Sequence, residues 1–130
     1  MSAWQIAVAS VTVAFLCFAL VYFRYPDLLF RFVLRTARRI GRLKLRTVDV
    51  GGTTWPYLVG GPTGGETLVF VHGFNADKDN WAIYARFFTK HYRVVAPDLI
   101  GQGDSDKLDD SGPDHYTFVE HRAWLDALLD

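Results

Sequence analysis

A short apolar run that stops at a histidine and a glycine is the feature that most constrains this fold. Residues 68–71 are Leu-Val-Phe-Val, and His72 and Gly73 follow at once. Such a run of bulky side chains is typical of a strand buried on both faces of a parallel sheet. The carboxyl ends of these strands are where open α/β sheets bind their ligands. The sequence therefore predicts a functional site in the turn that begins at His72.

A second apolar run, over residues 92–96, repeats the pattern and stops at Pro97 and Asp98. Between the two runs, apolar residues recur at spacings of three and four, which predicts a helix capped by Asp79 or Asn80. Its apolar positions are Trp81, Tyr84, Ala85 and Phe88. Strand, helix and strand make a crossover unit, which almost always runs right-handed between parallel strands. We therefore expect an α/β fold.

Period-two patterns upstream predict two further strands, over residues 43–49 and from Thr53 onward. Gly51 and Gly52 supply the positive φ that a tight hairpin between these strands needs. Pro56 predicts that the second strand lies at an edge of the sheet or is irregular. Downstream we expect a tight turn at residues 101–105, a polar loop up to Pro113 and a last helix that begins near Tyr116.

The amino-terminal residues 3–23 carry no charged side chain. As a helix, this segment would span about 30 Å, the thickness of the hydrocarbon core of a bilayer. Trp4 at one end and Tyr22 and Tyr25 at the other suit the headgroup region. A cleaved signal peptide is the alternative, but residues 1–4 lack the basic residues that such a peptide needs. We favour a single transmembrane anchor over residues 1–23.

The net charge of zero conceals a basic segment and an acidic remainder. Between Arg24 and Arg46 lie eight of the 14 basic residues against one acid, Asp27, whereas six basic and 13 acidic residues follow. The positive charge lies on the carboxyl side of the apolar segment. The positive-inside rule therefore predicts the amino terminus outside and the remainder of the chain in the cytoplasm.

Residues 24–42 form a basic amphipathic juxtamembrane segment in this interpretation. Arg31, Arg35, Arg38 and Arg42 recur at helical spacings, with apolar residues spread over the other side. A helix in the membrane interface, with its basic face on anionic headgroups, and a solvated flank without further role both remain open. We expect membrane lipid rather than nucleic acid as the partner, because the membrane already offers an anionic surface.

Residues 68–81 and 92–105 resemble the amino-terminal third of the α/β-hydrolase-fold enzymes. The His-Gly-Phe sequence, a Lys-Asp pair and Trp81, preceded by a membrane span, are most similar to membrane-anchored monoacylglycerol lipases and related bacterial lipases. The resemblance implies that residues 43–130 form part of an α/β-hydrolase domain. It also implies hydrolysis of carboxylic esters of lipids, with no cofactor and no metal, by the protein to which such a part belongs.

The resemblance gives the His-Gly-Phe sequence a chemical role. Acyl transfer passes through a tetrahedral oxyanion, which rigidly held backbone N–H groups stabilise. The position that matches the family's donor is Phe74, through its main-chain N–H; Gly73 would permit close approach and His72 would shape the turn rather than act as the base. A purely structural turn with Phe74 in the core is the alternative. Residues 98–105 are interpreted as a structural cross-brace, with Gln102 where most relatives carry histidine.

The family's nucleophile stands in Gly-x-Ser-x-Gly, and its acid and histidine follow later in the chain. This sequence contains no such pentapeptide, and Ser105 is not predicted to be a nucleophile because Lys107 replaces the final glycine. Three histidines are expected at the surface: His91, His115 and His121. The spacing of the last two with Asp114 matches no common metal site. Cys17, the sole cysteine, excludes an intramolecular disulfide.

The family's strand order places the third strand beside the fifth. Without a fifth strand, residues 68–71 would form an exposed hydrophobic edge, a site of aggregation or pairing. We therefore expect an amino-terminal fragment, truncated before the nucleophile elbow and inactive by itself.

Three functions stay open. The first is a membrane-anchored serine hydrolase of lipid esters, and the second is epoxide hydrolase, haloalkane dehalogenase or haloperoxidase chemistry on the same front half, since a fold does not fix the reaction. The third is a non-catalytic, membrane-tethered partial domain.

Overall fold

The computed structural model describes residues 2–50, 52–107 and 117–129. The chain divides into two compact units, one up to Thr36 and one from Ala37 onward. Several sequence predictions lie outside the described residues: those on Gly51, on the polar loop up to Pro113, on the start of the last helix near Tyr116, and on Asp114 and His115.

The first unit is helical. Helix α1 (Ala3–Arg24) begins with a reciprocal cap between Ser2 and Gln5. It is long and apolar enough to cross a membrane, with a mean hydropathy of 2.5, and in the part of the chain that the structure describes it is the one helix that meets this test. Helix α2 (Pro26–Ile40) follows, with proline at the first helical position, where no donor is lost. The last four residues of α2, from Ala37 onward, belong to the second unit. The predicted basic segment is therefore helical through most of its length.

The second unit is built on a four-stranded sheet of order β1-β2-β4-β3. The strands are β1 (Leu43–Val50), β2 (Thr53–Gly60), β3 (Thr67–Val69) and β4 (Arg93–Pro97). Strands β1, β2 and β4 pair antiparallel, whereas β3 pairs parallel to β4 across the crossover. Gly52, at φ +83°, turns the hairpin, and the Asp49 carboxylate accepts its N–H at 3.0 Å. This topology confirms the predicted α/β fold.

Pro56 predicts an edge strand or an irregular strand, and of these two the edge is wrong, because β2 lies in the centre of the sheet. Pro56 pairs with Thr47 of β1, and on its other side its carbonyl accepts a hydrogen bond from the Asp98 N–H at 3.0 Å. The ladder between β2 and β4 begins only at Tyr57, opposite Pro97. The N–H and the carbonyl of a strand residue point to the same neighbouring strand, which for Pro56 is β4. The N–H that proline lacks would therefore point to the place where the ladder between β2 and β4 has already ended.

Strand β3 is shorter and more exposed than predicted. It covers three residues that are all half-buried, and the side chain of Val71, just beyond it, is 43% exposed. Among the described strands, β4 alone pairs with it. The prediction that this run lies at a sheet edge is confirmed. The prediction of burial on both faces is wrong, because a strand is buried only where neighbours cover its faces.

The predicted helix between β3 and β4 is instead two 3₁₀ helices, Lys78–Trp81 and Tyr84–Phe87. The cap is Asp77, whose carboxylate accepts the Asp79 N–H at 2.8 Å and so tightens the first turn. Ala82 and Ala85 still face the core. Over two turns, an apolar spacing of three and four does not distinguish 3.0 from 3.6 residues per turn.

Helix α3 (Phe118–Leu129) closes the described chain and packs Trp124 edge-on against Trp55 of β2, with 6.4 Å between ring centroids. The hydrophobic core joins strands β1, β2 and β4 to the segment of the two 3₁₀ helices and consists of small and branched side chains: Leu43, Leu58, Ala82, Ala85, Val94 and Ala96.

Candidate active site

Two turns follow the parallel strands β3 and β4 at the same edge of the sheet. The His-Gly turn comprises residues 72–75, and the Asp98 turn comprises residues 98–105. The carboxyl ends of neighbouring parallel strands meet at one edge, so the topology brings the two turns together. A hydrogen bond joins them directly, from the Leu99 N–H to Nε2 of His72 at 2.9 Å.

His72 is buried and engaged at both ring nitrogens. Because the Leu99 N–H can only donate, Nε2 is the acceptor and the ring proton lies on Nδ1. Nδ1 then donates to the Gly73 carbonyl at 3.0 Å. A ring engaged in this way links the two turns and has no nitrogen free to take a proton from a nucleophile.

Phe74 projects away from the protein. Its side chain is 98% exposed, which is contrary to the alternative that places it in a core. No described residue accepts a hydrogen bond from its main-chain N–H. A Cβ at Gly73 would meet no atom within 4 Å, so the space in front of this backbone is open. The turn therefore presents an uncommitted donor, the arrangement that an oxyanion site needs.

The Asp98 turn is built around a buried carboxylate. Asp98 is fully buried and accepts three hydrogen bonds: from the Lys78 N–H at 2.8 Å, from Lys78 Nζ at 2.7 Å and from the Asp104 N–H at 2.8 Å. Its main-chain carbonyl accepts a hydrogen bond from Trp55 Nε1. Gly103 has φ +59°, and a Cβ there would clash with the Asp98 carboxylate. These contacts match the structural cross-brace predicted for residues 98–105.

Lys78 is the cation of this brace. Its side chain is 1% exposed, and Nζ lies 2.7 Å from both Asp98 Oδ2 and Asp104 Oδ2. Burial by itself lowers the pKa of Lys78, but the hydrogen bonds with Asp104 and Asp98 outweigh it, so the pKa lies above its usual value. The hydrogen bond from Lys78 in turn lowers the pKa of Asp104. Both groups are therefore charged at neutral pH.

Arg38 is a further brace that the sequence did not reveal. Its Nε and Nη2 donate to the two carboxylate oxygens of Asp79 at 2.6 and 2.7 Å, and this hydrogen bonding raises the pKa of Arg38. The Arg38 side chain is only 16% exposed. Arg38 therefore fits neither of the two alternatives for the basic face, a surface on lipid headgroups or a solvated flank. A bidentate pair of this kind fixes the first 3₁₀ helix to the end of α2.

Ser105 and Gln102 complete the Asp98 turn. The Ser105 hydroxyl is buried within 2.7 Å of the carbonyls of Leu99 and Gln102, so it serves the turn, as expected of a residue that is not the nucleophile. Oε1 of Gln102 is buried and has no hydrogen-bond partner in the described chain. The residue lies between two concavities, one polar beside Asn75 and one apolar beside Val71.

The apolar concavity is lined by Val69, the last residue of β3, and by Val71. It has a volume of about 560 Å³, and α3 closes it with Leu125 and Leu129. His121 of α3 is half-buried against Trp124 and also lines the concavity, so it remains partly exposed, and His91 is exposed as predicted. Within residues 2–50, 52–107 and 117–129, no cluster of histidine, cysteine and acidic side chains could hold a metal ion.

The strand order, the crossover and the His-Gly turn define an α/β-hydrolase sheet, and the comparison with known families agrees. Residues 66–130 match the family described as the alpha/beta hydrolase fold. The chain belongs to this family. It spans about a quarter of the length of three curated relatives that it matches, which it covers by 27 or 28%.

The relatives differ in the reaction for which they are named. A haloalkane dehalogenase of Sphingobium indicum is 41% identical over 83 residues, which are 64% of this chain and 27% of the relative. A membrane phospholipase A of known structure is 35% identical, with a TM-score of 0.72, and the match covers 96% of this chain and 40% of that one. An epoxide hydrolase of Vigna radiata is 31% identical, with a TM-score of 0.61 and coverage of 68% and 27%.

The matches differ in how much of this chain they cover. A match over 96% of the chain necessarily includes residues of both α1 and α2, whereas one over 68% can omit both helices. The hydrolase unit is thus similar to enzymes of several chemistries, and the similarity to the membrane phospholipase extends into the amino-terminal helices.

Proposed function

We propose that this chain is the amino-terminal part of a membrane-anchored serine hydrolase that cleaves carboxylic esters of lipids, of the monoacylglycerol type. The observation that carries the proposal is the match with a membrane phospholipase A, which covers 96% of the chain and so includes α1 and α2. An anchored site meets a substrate dissolved in the same bilayer at high effective concentration. The membrane itself and the lipid ester are therefore the partners.

The chain's own contribution to the reaction would be one oxyanion donor. A serine oxygen attacks the ester carbonyl, the negative charge moves to the carbonyl oxygen, and the Phe74 N–H stabilises it there. The alcohol then leaves with a proton, and water cleaves the acyl-enzyme to give the fatty acid and free serine. The nucleophile, its base and the acid would come from residues outside this sequence. His72 cannot serve as that base while it bridges the two turns.

The braced geometry supports this role. A donor stabilises a developing charge only when its position is fixed before the reaction, since reorganisation would consume the gain. The His-Gly turn is held by His72 on one side and is followed by the Asp77 cap on the other. The donor is thus exposed while its flanks are fixed.

The test of the reaction uses the full-length protein in lipid vesicles. We expect an alkyl fluorophosphonate to label one serine and monoacylglycerol to release fatty acid, and we expect the release of fatty acid to stop when labelling of the serine is complete. Ser105→Ala is the control within this chain, because the Ser105 hydroxyl is engaged in the Asp98 turn. A protein that releases no fatty acid and takes up no label would contradict the proposal, and loss of labelling in Ser105→Ala would move the nucleophile to Ser105.

The proposed orientation places the amino terminus outside and the hydrolase unit in the cytoplasm, because the basic residues follow the apolar helix. Protease added to intact cells should therefore leave the hydrolase unit whole and digest it only after the membrane is opened. Digestion in intact cells would reverse the orientation and leave the proposed reaction untouched.

Hydrolytic dehalogenation is the second candidate, and the identity of 41% with a haloalkane dehalogenase favours it. The two reactions need different nucleophiles, a serine for acyl transfer and an aspartate for an alkyl-enzyme intermediate. Release of bromide from a short bromoalkane, without labelling by the fluorophosphonate, would select dehalogenation. A full-length protein inactive in both assays would contradict both candidate reactions.

A further inference from the structure

A basic groove lies at the end of the second 3₁₀ helix and shares no residue with the two turns. Its volume is about 460 Å³, and its lining consists of Ile40, Arg42, Arg86, Phe87, Lys90 and His91. All six residues belong to the unit from Ala37 onward. Three of them carry a positive charge at neutral pH, and none of the six is acidic.

The three cations of the groove lack acidic partners in the described part of the chain. The ion pairs there engage other cations, such as Arg38 with Asp79 and Lys78 with Asp98. The Arg86 guanidinium lies instead 4.7 Å from the centroid of the Phe87 ring. Like charges around one concavity repel each other, so an anion that enters the groove would relieve this repulsion.

Apolar side chains are exposed beside these cations. Tyr84 and Phe87 are 62% and 61% exposed, and because residues three apart eclipse in a 3₁₀ helix, they share a face. Ile40, at the end of the amphipathic helix α2, is 45% exposed. Exposed aromatic rings next to cationic side chains are typical of a surface that lies in a membrane interface.

We propose that the basic groove binds the phosphate of an anionic phospholipid, with Arg42, Arg86 and Lys90 around the phosphate and Phe87 at the acyl boundary. A lipid is the ligand that matches the charged and the apolar lining at once, whereas a free phosphate matches the charge alone. Ile40, the last residue of α2, contributes to the apolar part of the lining. The proposal rests on the membrane location in the proposed function and not on the ester chemistry.

Native mass spectrometry of the full-length protein in detergent micelles tests this binding. Phosphatidylglycerol is the anionic probe and phosphatidylcholine its neutral counterpart. The test variant is Arg86→Gln/Lys90→Gln, and the charge-matched control is Lys44→Gln/Arg46→Gln, which removes two exposed cations from β1. Each cation near an anionic headgroup is worth about fivefold in affinity, so we expect the preference for phosphatidylglycerol to fall by about 25-fold in the test variant alone.

Three outcomes would overturn the proposal. They are an equal fall in both double variants, glycerol 3-phosphate that competes as strongly as the lipid, and an oligonucleotide that displaces the lipid. Fluorophosphonate labelling of the same samples separates this result from that of the reaction. Labelling with no lipid preference would reject the groove alone, and lipid preference with no labelling would reject the serine hydrolase alone.

Discussion

The two turns at the carboxyl edge of the sheet are held in opposite ways. In the Asp98 turn, the carboxylate is fully buried, accepts three hydrogen bonds and touches a cation. In the His-Gly turn, Phe74 is 98% exposed and its N–H bonds to no described residue. The hydrogen bonds at this end of the sheet thus involve the residues next to the Phe74 N–H and not the Phe74 N–H itself. The difference indicates that residues 98–105, together with Lys78, form a rigid support, which we call the frame. Residues 72–75 form an exposed turn that this frame holds in place, which we call the open turn.

Two residues, His72 and Lys78, connect the open turn to the frame. His72 accepts the Leu99 N–H, and Lys78 binds Asp98 through both its backbone and its side chain. Residues 73–77 are therefore fixed at both ends by the Asp98 turn. If this comparison is correct, damage to the frame will unfold the protein, whereas damage to the open turn will remove only activity.

The largest effect on stability is expected from Lys78→Met. The substitution keeps the chain length of the buried stem but leaves Asp98 buried without its cation. Loss of one partner of a buried ion pair costs about 3–5 kcal/mol. The thermal unfolding midpoint of the full-length protein in detergent, followed by tryptophan fluorescence, should therefore fall sharply. Lys107→Met, at an exposed lysine, is the control, and equal midpoints for the two variants would show that the frame does not depend on Lys78.

The next effect concerns the open turn and appears in activity alone. Phe74→Pro removes the main-chain N–H, whereas Phe74→Ala keeps it and removes the same ring. Because no described residue accepts this N–H, the proline breaks no hydrogen bond of the frame. Loss of one oxyanion donor costs about 100- to 1,000-fold in kcat. We expect this loss for the proline variant only, at an unchanged unfolding midpoint. Equal activities would show that Phe74 supplies no donor.

The sequence predicts where the two turns lie better than it predicts which side chains pair within them. Apolar runs that end in His-Gly and Pro-Asp mark where parallel strands stop, and that pattern is local. The partners of Asp98 and Asp79 are not local, since Arg38 lies 41 positions from Asp79 along the chain. A periodic basic face looks the same whether each arginine contacts lipid, solvent or a carboxylate, so the sequence pattern cannot single out Arg38 as the partner of Asp79.

The burial of Lys78 and the position of β3 show a second limit. A lysine between acidic residues is typical of a solvated surface, and only the fold reveals that Asp98 and Asp104 converge on it. The apolar composition of β3 predicts two covered faces, whereas all three of its residues are only half-buried in the described chain. Composition predicts what a segment can bury, but the neighbouring segments decide what it does bury.

The same substitution, glycine to alanine, can be made in both turns and compares their effects on stability directly. At Gly103, φ is +59° and a Cβ would clash with the Asp98 carboxylate, whereas at Gly73 a Cβ would meet nothing within 4 Å. Strained backbone of this kind costs about 1–3 kcal/mol, and an unhindered substitution stays within about 0.5 kcal/mol. Gly103→Ala should therefore lower the unfolding midpoint, and Gly73→Ala should not. The reverse order would mean that the His-Gly turn is the frame.

The smallest effect is a pH dependence that belongs to the frame's outer carboxylate. The hydrogen bond from Lys78 lowers the pKa of Asp104 below 3.8 in the folded protein. A depressed folded pKa contributes stability that is fully present above the unfolded pKa and is lost as the pH falls through the folded value. The side chain of Asp104 is 71% exposed, so solvent screening limits this contribution to about 1 kcal/mol or less. The raised pKa of Lys78 acts at the opposite end, since its contribution disappears only as the pH rises above 10.5.

Unfolding midpoints measured from about pH 7 down to about pH 3 isolate the Asp104 contribution. The parent protein should lose stability over the acidic part of this range, and Asp104→Asn should lose less because it has no carboxylate to protonate. Asp126→Asn is the matched control, since it removes a carboxylate 3.7 Å from an exposed arginine, Arg122, outside the frame. If the unfolding midpoints of both variants fall with pH as that of the parent does, Asp104 does not contribute to the stability of the frame, and the stabilising ion pair is that of Asp98 and Lys78.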